Sequence, residues 1–149
     1  GTGTTAAAHT MRLASLEEVF AESHVVSLHT PALPSTEGMV NGRLLRSMRQ
    51  DATFINTARG AVVNEPELVE VLGERPDLIA LLDVTAPEPP PEGSPLYSLP
   101  NCVLTPHIAG SLDAECRRLG QYAVDEMKRY LRGEPLQWRI TREMNERMA

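Results

Sequence analysis

Phe54-Ile55-Asn56-Thr57-Ala58-Arg59-Gly60-Ala61-Val62-Val63 is the stretch on which the reading of this chain turns. Asp51-Ala52-Thr53-Phe54-Ile55 reads as a buried strand that stops in a short polar turn. The turn presents one arginine beside a glycine. Open α/β sheets bind ligands at the carboxyl ends of their strands, so an arginine placed there is a ligand candidate. Its planar, permanently charged fork grips a carboxylate with two parallel hydrogen bonds, which a lysine cannot do. Two further apolar runs end in chemistry-bearing residues, Leu82-Asp83-Val84-Thr85-Ala86-Pro87-Glu88-Pro89 and Leu104-Thr105-Pro106-His107-Ile108-Ala109-Gly110. Arg59, Glu88 and His107 form a candidate catalytic trio.

Working outward, Ser15 caps a helix, with Glu18 three residues later completing a capping box. His24-Val25-Val26-Ser27-Leu28-His29 reads as a strand ended by Thr30-Pro31. A loop with Pro31, Pro34 and Gly38 follows, and Asn41 caps a helix carrying Leu44, Leu45 and Met48. Asn64-Glu65-Pro66-Glu67 is a helix start, with Leu68, Val69, Val71 and Leu72 as its apolar face and Gly73 as its stop. Leu78-Ile79-Ala80-Leu81-Leu82-Asp83 is a continuous apolar run, the pattern of a parallel strand. Residues 86–95 read as a loop and Cys102–Thr105 as a short strand. A long helix is expected near 112–132, with Leu119, Ala123, Met127 and Tyr130 at helical spacing, the first three read as core, and Gly133 after it.

Strand–helix alternation argues an α/β fold with a partial doubly wound parallel sheet. The strands lie near 24–29, 51–55, 78–83 and 102–105, with helices on both faces and a long C-terminal helix. Residues 1–14 read as a frayed or tag-like start, 15–133 as the folded unit, and 134–149 as a charged, helix-forming tail with Trp138.

The 149 residues suit one domain, and a hydrophobic content of 42% argues against general disorder. A net charge of −6 without any Lys/Arg run makes nucleic acid and anionic membrane poor partners. No apolar run reaches the length of a membrane span, and no secretory signal opens the chain. Cys102 and Cys116 lack metal-ligand spacing, so no metal site is expected. They form one disulfide on paper only, and sparse cysteine favours a reduced, cytoplasmic setting. Gly1-Thr2-Gly3-Thr4-Thr5-Ala6 formally matches a dinucleotide fingerprint, but no strand precedes it, and it is rejected.

Taken together, Ser27-Leu28-His29-Thr30-Pro31, the Asn-Thr-Ala-Arg-Gly run at 56–60, Asp83-Val84 with Glu88-Pro89, and Thr105-Pro106-His107-Ile108-Ala109-Gly110 resemble the NAD-dependent D-2-hydroxyacid dehydrogenases of the phosphoglycerate, glycerate and hydroxypyruvate type. The resemblance runs from about Ser15 to Gly133. It implies the C-terminal half of a Rossmann-like NAD-binding domain, with NAD as cofactor, NADP not excluded, and a small 2-hydroxy or 2-keto acid as substrate. It also implies roles. Arg59 binds the substrate carboxylate and reacting oxygen, His107 is the general acid–base, and Glu88 hydrogen-bonds that histidine. Asp83 lies near the nicotinamide carboxamide. Thr57, Ala58 and Arg59 contact the cofactor, as do His29, Thr30 and Pro31, with His107, Ala109 and Gly110 completing the set.

Each residue also has an ordinary reading. Arg59 can cap a helix or pair on the surface, His107 can be a satisfied loop histidine, Glu88 can be solvated, and Asp83 can serve a turn. His9, His24 and Cys102 are read as structural or incidental. The resemblance also has gaps. The pyrophosphate-binding turn, the ribose-reading acid and the separate substrate domain of that family do not appear, and Val84-Thr85-Ala86 lacks the usual aromatic after Asp-Val. The chain is therefore read as an oxidoreductase or a fragment of one, the alternative being a catalytically silent module for self-association or regulation. In the usual sheet order the strand at 24–29 sits beside one that this stretch lacks. Its edge would be open and apolar on both faces, which favours a homodimer or larger assembly.

Overall fold

A computed structural model describes residues 12–146 and 148 of the protein. Residues 1–10, including His9 and the rejected glycine pattern, lie outside the described residues. The chain order is α1 (Leu16–Glu22), β1 (Val25–Leu28), α2 (Gly42–Ser47), β2 (Thr53–Asn56), α3 (Glu65–Glu74), β3 (Ile79–Leu82), β4 (Cys102–Leu104), α4 (Ala114–Leu131) and α5 (Arg142–Asn145). Short 3-10 turns occupy Gly60–Val62 and Pro95–Tyr97.

The helix starts follow the side chains that cap them. Ser15 accepts from the Glu18 N–H at 3.2 Å while Glu18 Oε2 accepts from the Ser15 N–H at 2.7 Å. Asn41 and Asn64 cap α2 and α3 through the N–H groups of Leu44 and Glu67. Gly73 does not stop α3, which runs on to Glu74. Instead the Asn101 amide donates to the carbonyls of Leu72, Arg75 and Leu78, supplying the partners that the helix end lacks.

The four strands form one parallel sheet in the order β1-β2-β3-β4. Phe20, Leu44, Leu45, Val71 and Leu72 of α1, α2 and α3 join Val26, Leu28, Phe54, Ala80 and Leu82 of the strands in one core. Phe20 and Phe54 bring their rings to 6.1 Å. Each such large side chain contributes about 1.5–3 kcal/mol on burial.

The α/β class, the parallel Rossmann-like sheet and the long C-terminal helix are as expected; the covering of the second face differs. The strand order advances in one direction, so every right-handed crossover returns on the same side. The packed helices α1, α2 and α3 accordingly share one face. On the other, Val25, Ile79 and Val103 are 57%, 43% and 50% exposed. The expectation of helices on both faces is therefore met on one face within the described residues. The expected core role of Leu119, Ala123 and Met127 is also corrected. All three are exposed and α4 has no buried residue; among the described residues, Trp138 meets the stripe at Tyr122 without burying it. β1 lies at the sheet edge as expected, but its outward face carries Ser27 beside Val25, so it is not apolar on both sides. In the tail, among the described residues, only Arg142–Asn145 is helical. Glu126 of α4 accepts from the N–H groups of Gln137 and Trp138, and Trp138 packs against Tyr122. Cys102 and Cys116 are free thiols. Burial pushes the Cys102 thiol up to about 11, which keeps it protonated and unreactive at neutral pH.

Arg75 joins α2 to β3. It donates to Asp77 through Nε and Nη2 and to the carbonyls of Arg46, Met48 and Arg49. Hydrogen bonding by Arg75 lowers the Asp77 carboxyl from the ordinary 3.8 to about 2. A carboxyl depressed in the folded state stabilises the fold above its unfolded value, and that contribution is lost as pH falls through the folded one. The denaturation midpoint is thus expected to fall between pH 3.8 and about 2. Asp77→Asn should flatten that part of the curve. An unchanged pH dependence in the variant would count against the pair.

Candidate active site

Leu28, Asn56, Leu82 and Leu104 stand level across the sheet, so the segments after all four strands leave from one edge. The turn after β2 is built by Asn56, a buried polar side chain. Its Oδ1 accepts from the Ala58 N–H and its Nδ2 donates to the Arg59 carbonyl, both at 3.0 Å. Arg59 then opens the 3-10 turn. Its side chain is exposed, with Nη1 donating to the Ala58 carbonyl at 2.7 Å. Sequence reasoning assigned Asn56 no role of its own; a polar residue closing an apolar strand was the available signal.

The segment after β3 is tied to its neighbours by short polar contacts. Glu65 Oε2 accepts from the Ala86 N–H at 2.9 Å, and Thr85 Oγ1 donates to the Pro87 carbonyl at 2.9 Å. The peptide bonds before Pro87 and Pro89 are cis, with Glu88 between them. Glu88 Oε1 lies 2.6 Å from Nδ1 of His107, and both side chains are partly open to solvent. His107 has φ +53°, a left-handed conformation uncommon outside glycine.

Asp83, buried at the end of β3, holds the segment after β4. Its carboxylate accepts from Thr105 Oγ1, from the Ile108 N–H at 2.9 Å and from the Ala109 N–H at 2.8 Å. Burial alone would raise this carboxyl. The bonds from Thr105, Ala109 and Ile108, with the nearby His107, outweigh burial and hold it below its ordinary value.

A cavity of about 380 Å³ opens beside the His107–Glu88 pair. Asp83, Thr85 and Thr105 contribute to its polar wall, and Pro89, Tyr97 and Leu104 to its apolar one. The Tyr97 hydroxyl donates to the Pro90 carbonyl at 3.0 Å, which fixes that wall. Tyr97 carried no sequence signal, because it lies in a proline-rich loop without periodicity. A second cavity, about 400 Å³, lies on the uncovered sheet face between Ile55, Thr57, Leu81, Val103 and Ala109. Asp83 and Thr105 line both.

The structure therefore brings Asp83, Glu88 and His107 together at one cavity, and Thr57 and Ala109 together at the other. Arg59 lines neither, though it leaves the same sheet edge. His29, Thr30 and Pro31 follow β1 at that edge, with His29 Nε2 3.0 Å from Ser27 Oγ. Gly110 follows the Asp83-held segment and is exposed. Among the described residues no group of His, Cys, Asp and Glu is placed to hold a metal.

The D-isomer specific 2-hydroxyacid dehydrogenase NAD binding domain has a sequence profile that matches residues 2–109. The chain belongs to this family. Within it, a hydroxypyruvate reductase of Blautia hydrogenotrophica is 34% identical over 125 residues, 84% of this chain and 39% of its own length. The TT0316 protein of Thermus thermophilus superposes with a TM-score of 0.80 at 41% identity, covering 92% of this chain and 44% of that one. A D-isomer specific 2-hydroxyacid dehydrogenase of Xanthobacter autotrophicus, in complex with NADPH and MES, gives a TM-score of 0.73 at 35% identity, covering 85% and 51%. The chain spans about two fifths of the length of the curated relatives it matches.

The residues present fit one end of such a cofactor. The sheet-face cavity offers an apolar floor of Ile55, Leu81 and Val103, with Thr57, Asp83 and Thr105 at the carboxyl end of the strands. A flat ring with a polar substituent matches that surface.

Proposed function

We propose that this chain carries the catalytic end of an enzyme that moves a hydride between NAD(H) and a small 2-hydroxy or 2-keto acid. The observation that supports this most is the 2.6 Å contact between His107 Nδ1 and Glu88 Oε1 beside a cavity at the carboxyl ends of a parallel sheet. The nicotinamide would supply the redox chemistry. The chain's residues handle the charge and the proton. With Nδ1 committed to Glu88, Nε2 of His107 is the atom that exchanges a proton with the substrate oxygen. Arg59 turns from the Ala58 carbonyl to the substrate carboxylate and reacting oxygen, where its fork meets the charge that develops during reduction. Thr57, Ala58, Asp83, Ala109 and Gly110 receive the nicotinamide end, and His29, Thr30 and Pro31 the ribose and phosphates.

In the same reading, residues 15–133 form the C-terminal half of a NAD-binding Rossmann domain and 134–149 a tail. NADP stands beside NAD, since the Xanthobacter relative holds NADPH. The open β1 edge and the uncovered sheet face favour association with a second copy. Two free cysteines suit a cytoplasmic setting.

Two measurements test the proposal. NADH-dependent reduction of glyoxylate or hydroxypyruvate is expected from the protein of the full reading frame, and NAD is expected to raise the thermal midpoint of the 149-residue chain. Failure of both would leave the silent-module reading. Glu88→Gln in the active protein should lower kcat about tenfold or more while KM changes little, since the carboxylate acts on the proton-transfer step. A parental kcat would remove Glu88 from the mechanism. Light scattering that shows a stable 16.3 kDa monomer at high concentration would refute self-association.

A further inference from the structure

We infer that Asp83 is a positioning residue for His107, gathering the Thr105–Ala109 segment onto its carboxylate and so holding the imidazole toward Glu88. This rests on reading His107 as the proton-exchanging group. One residue contacts the segment on both sides of the histidine. The Asp83 carbonyl accepts from the His107 N–H at 3.1 Å. Its Oδ1 takes the Thr105 hydroxyl before the histidine and the Ile108 N–H after it, and its Oδ2 takes the Ala109 N–H. Two consecutive N–H groups directed at one carboxylate make a nest, whose charge preference matches an anion.

The histidine conformation gives these contacts a specific task. At φ +53° a residue with a Cβ holds its backbone in a sparsely populated region, and it does so only where surrounding bonds impose it. The bonds to Asp83 on either side are suited to impose it here. Glu88 approaches from a different loop, so the 2.6 Å pair forms only if the His107 backbone is already set. Three of the four acceptor sites of the carboxylate are occupied by its own chain, leaving one on Oδ2. The remaining site on Oδ2 leaves room for a cofactor amide beside this internal work.

Nuclear magnetic resonance of the isotope-labelled 149-residue chain, without cofactor, tests the inference. Asp83→Asn keeps the shape but sets an amide donor against a backbone N–H or the Thr105 hydroxyl. The amides of Ile108 and Ala109 are expected to exchange roughly tenfold faster or more, as for loss of a charge-assisted bond. The Nδ1–H signal of His107 should be lost to solvent and its N–H to Hα coupling should change, while the amides of β1 and β2 stay as in the parent. Thr105→Val, which removes one contact and leaves the carboxylate, should give a smaller change of the same kind. Glu88→Gln should disturb the Nδ1–H signal and leave Ile108 and Ala109 protected. A folded Asp83→Asn chain with the His107 signal and coupling unaltered would overturn the inference. If that variant does not fold, Thr105→Val with an unaltered His107 signal and unaltered exchange overturns it. Loss of cofactor-dependent reduction with these couplings intact would strike the proposed function alone.

Discussion

Gly60→Ala is expected to destabilise the protein by about 3 kcal/mol or more, at the upper end for an added methyl group in a packed site. A Cβ at this position would stand 2.0 Å from both the carbonyl carbon and the carbonyl oxygen of Thr85, and 2.7 Å from the Ala86 nitrogen. These are backbone atoms, which cannot rotate aside as the end of a long side chain can. They are held by the Ala86 N–H bond to Glu65 and the Thr85 hydroxyl bond to Pro87. The turn after β2 and the segment after β3 must therefore separate. Domains of this size are stable by only about 5–15 kcal/mol, so the loss is a large share. Urea unfolding checks it: a midpoint within experimental error of the parent would mean that the close approach is absent in solution. Gly73→Ala, where nothing lies within 4 Å of the added carbon, is the matched control and should be neutral or slightly stabilising.

Arg59→Ala should produce the opposite split, a large loss of turnover with little loss of stability. In the active protein kcat/KM is expected to fall by roughly 3 kcal/mol of transition-state stabilisation, about a hundredfold or more. The guanidinium is exposed and, among the described residues, bonded only to the neighbouring Ala58 carbonyl, so truncation opens no cavity and strands no buried group. Surface substitutions of that kind usually change stability by less than about 0.5 kcal/mol. Unchanged kcat/KM would remove Arg59 from the site. A large drop in unfolding midpoint would assign it a structural task instead.

Much of the architecture was legible residue by residue. Ser15, Asn41 and Asn64 announce their helices because a capping side chain acts within its own turn. The short apolar runs announce their strands for a similar reason: an element buried in a parallel sheet needs no partner to display its composition. The end of α3 was less legible, since the residue that satisfies it, Asn101, is 29 positions away from Leu72 in sequence. The exposure of Leu119 and Met127 was hidden for the converse reason. An amphipathic stripe records that a helix is made for a contact, and nothing in it says whether the contacting surface belongs to the same stretch of chain.

The division at the site follows the same physics. Sequence alone determined which residues are candidates for the chemistry: a cation in the Asn56–Gly60 turn, a carboxylate between two prolines and an imidazole after Pro106. Their residue types and their places after apolar runs are local properties. Tertiary structure decided which of them meet. The parallel register sets the four strand ends level, and the glycine at 60 lets two turns touch. The Asp83 carboxylate gathers Thr105, Ile108 and Ala109 from across β4, and Glu88 then reaches His107 while Arg59 remains on its own turn. Such contacts depend on distances between segments far apart in the chain, which no local pattern of residue types encodes.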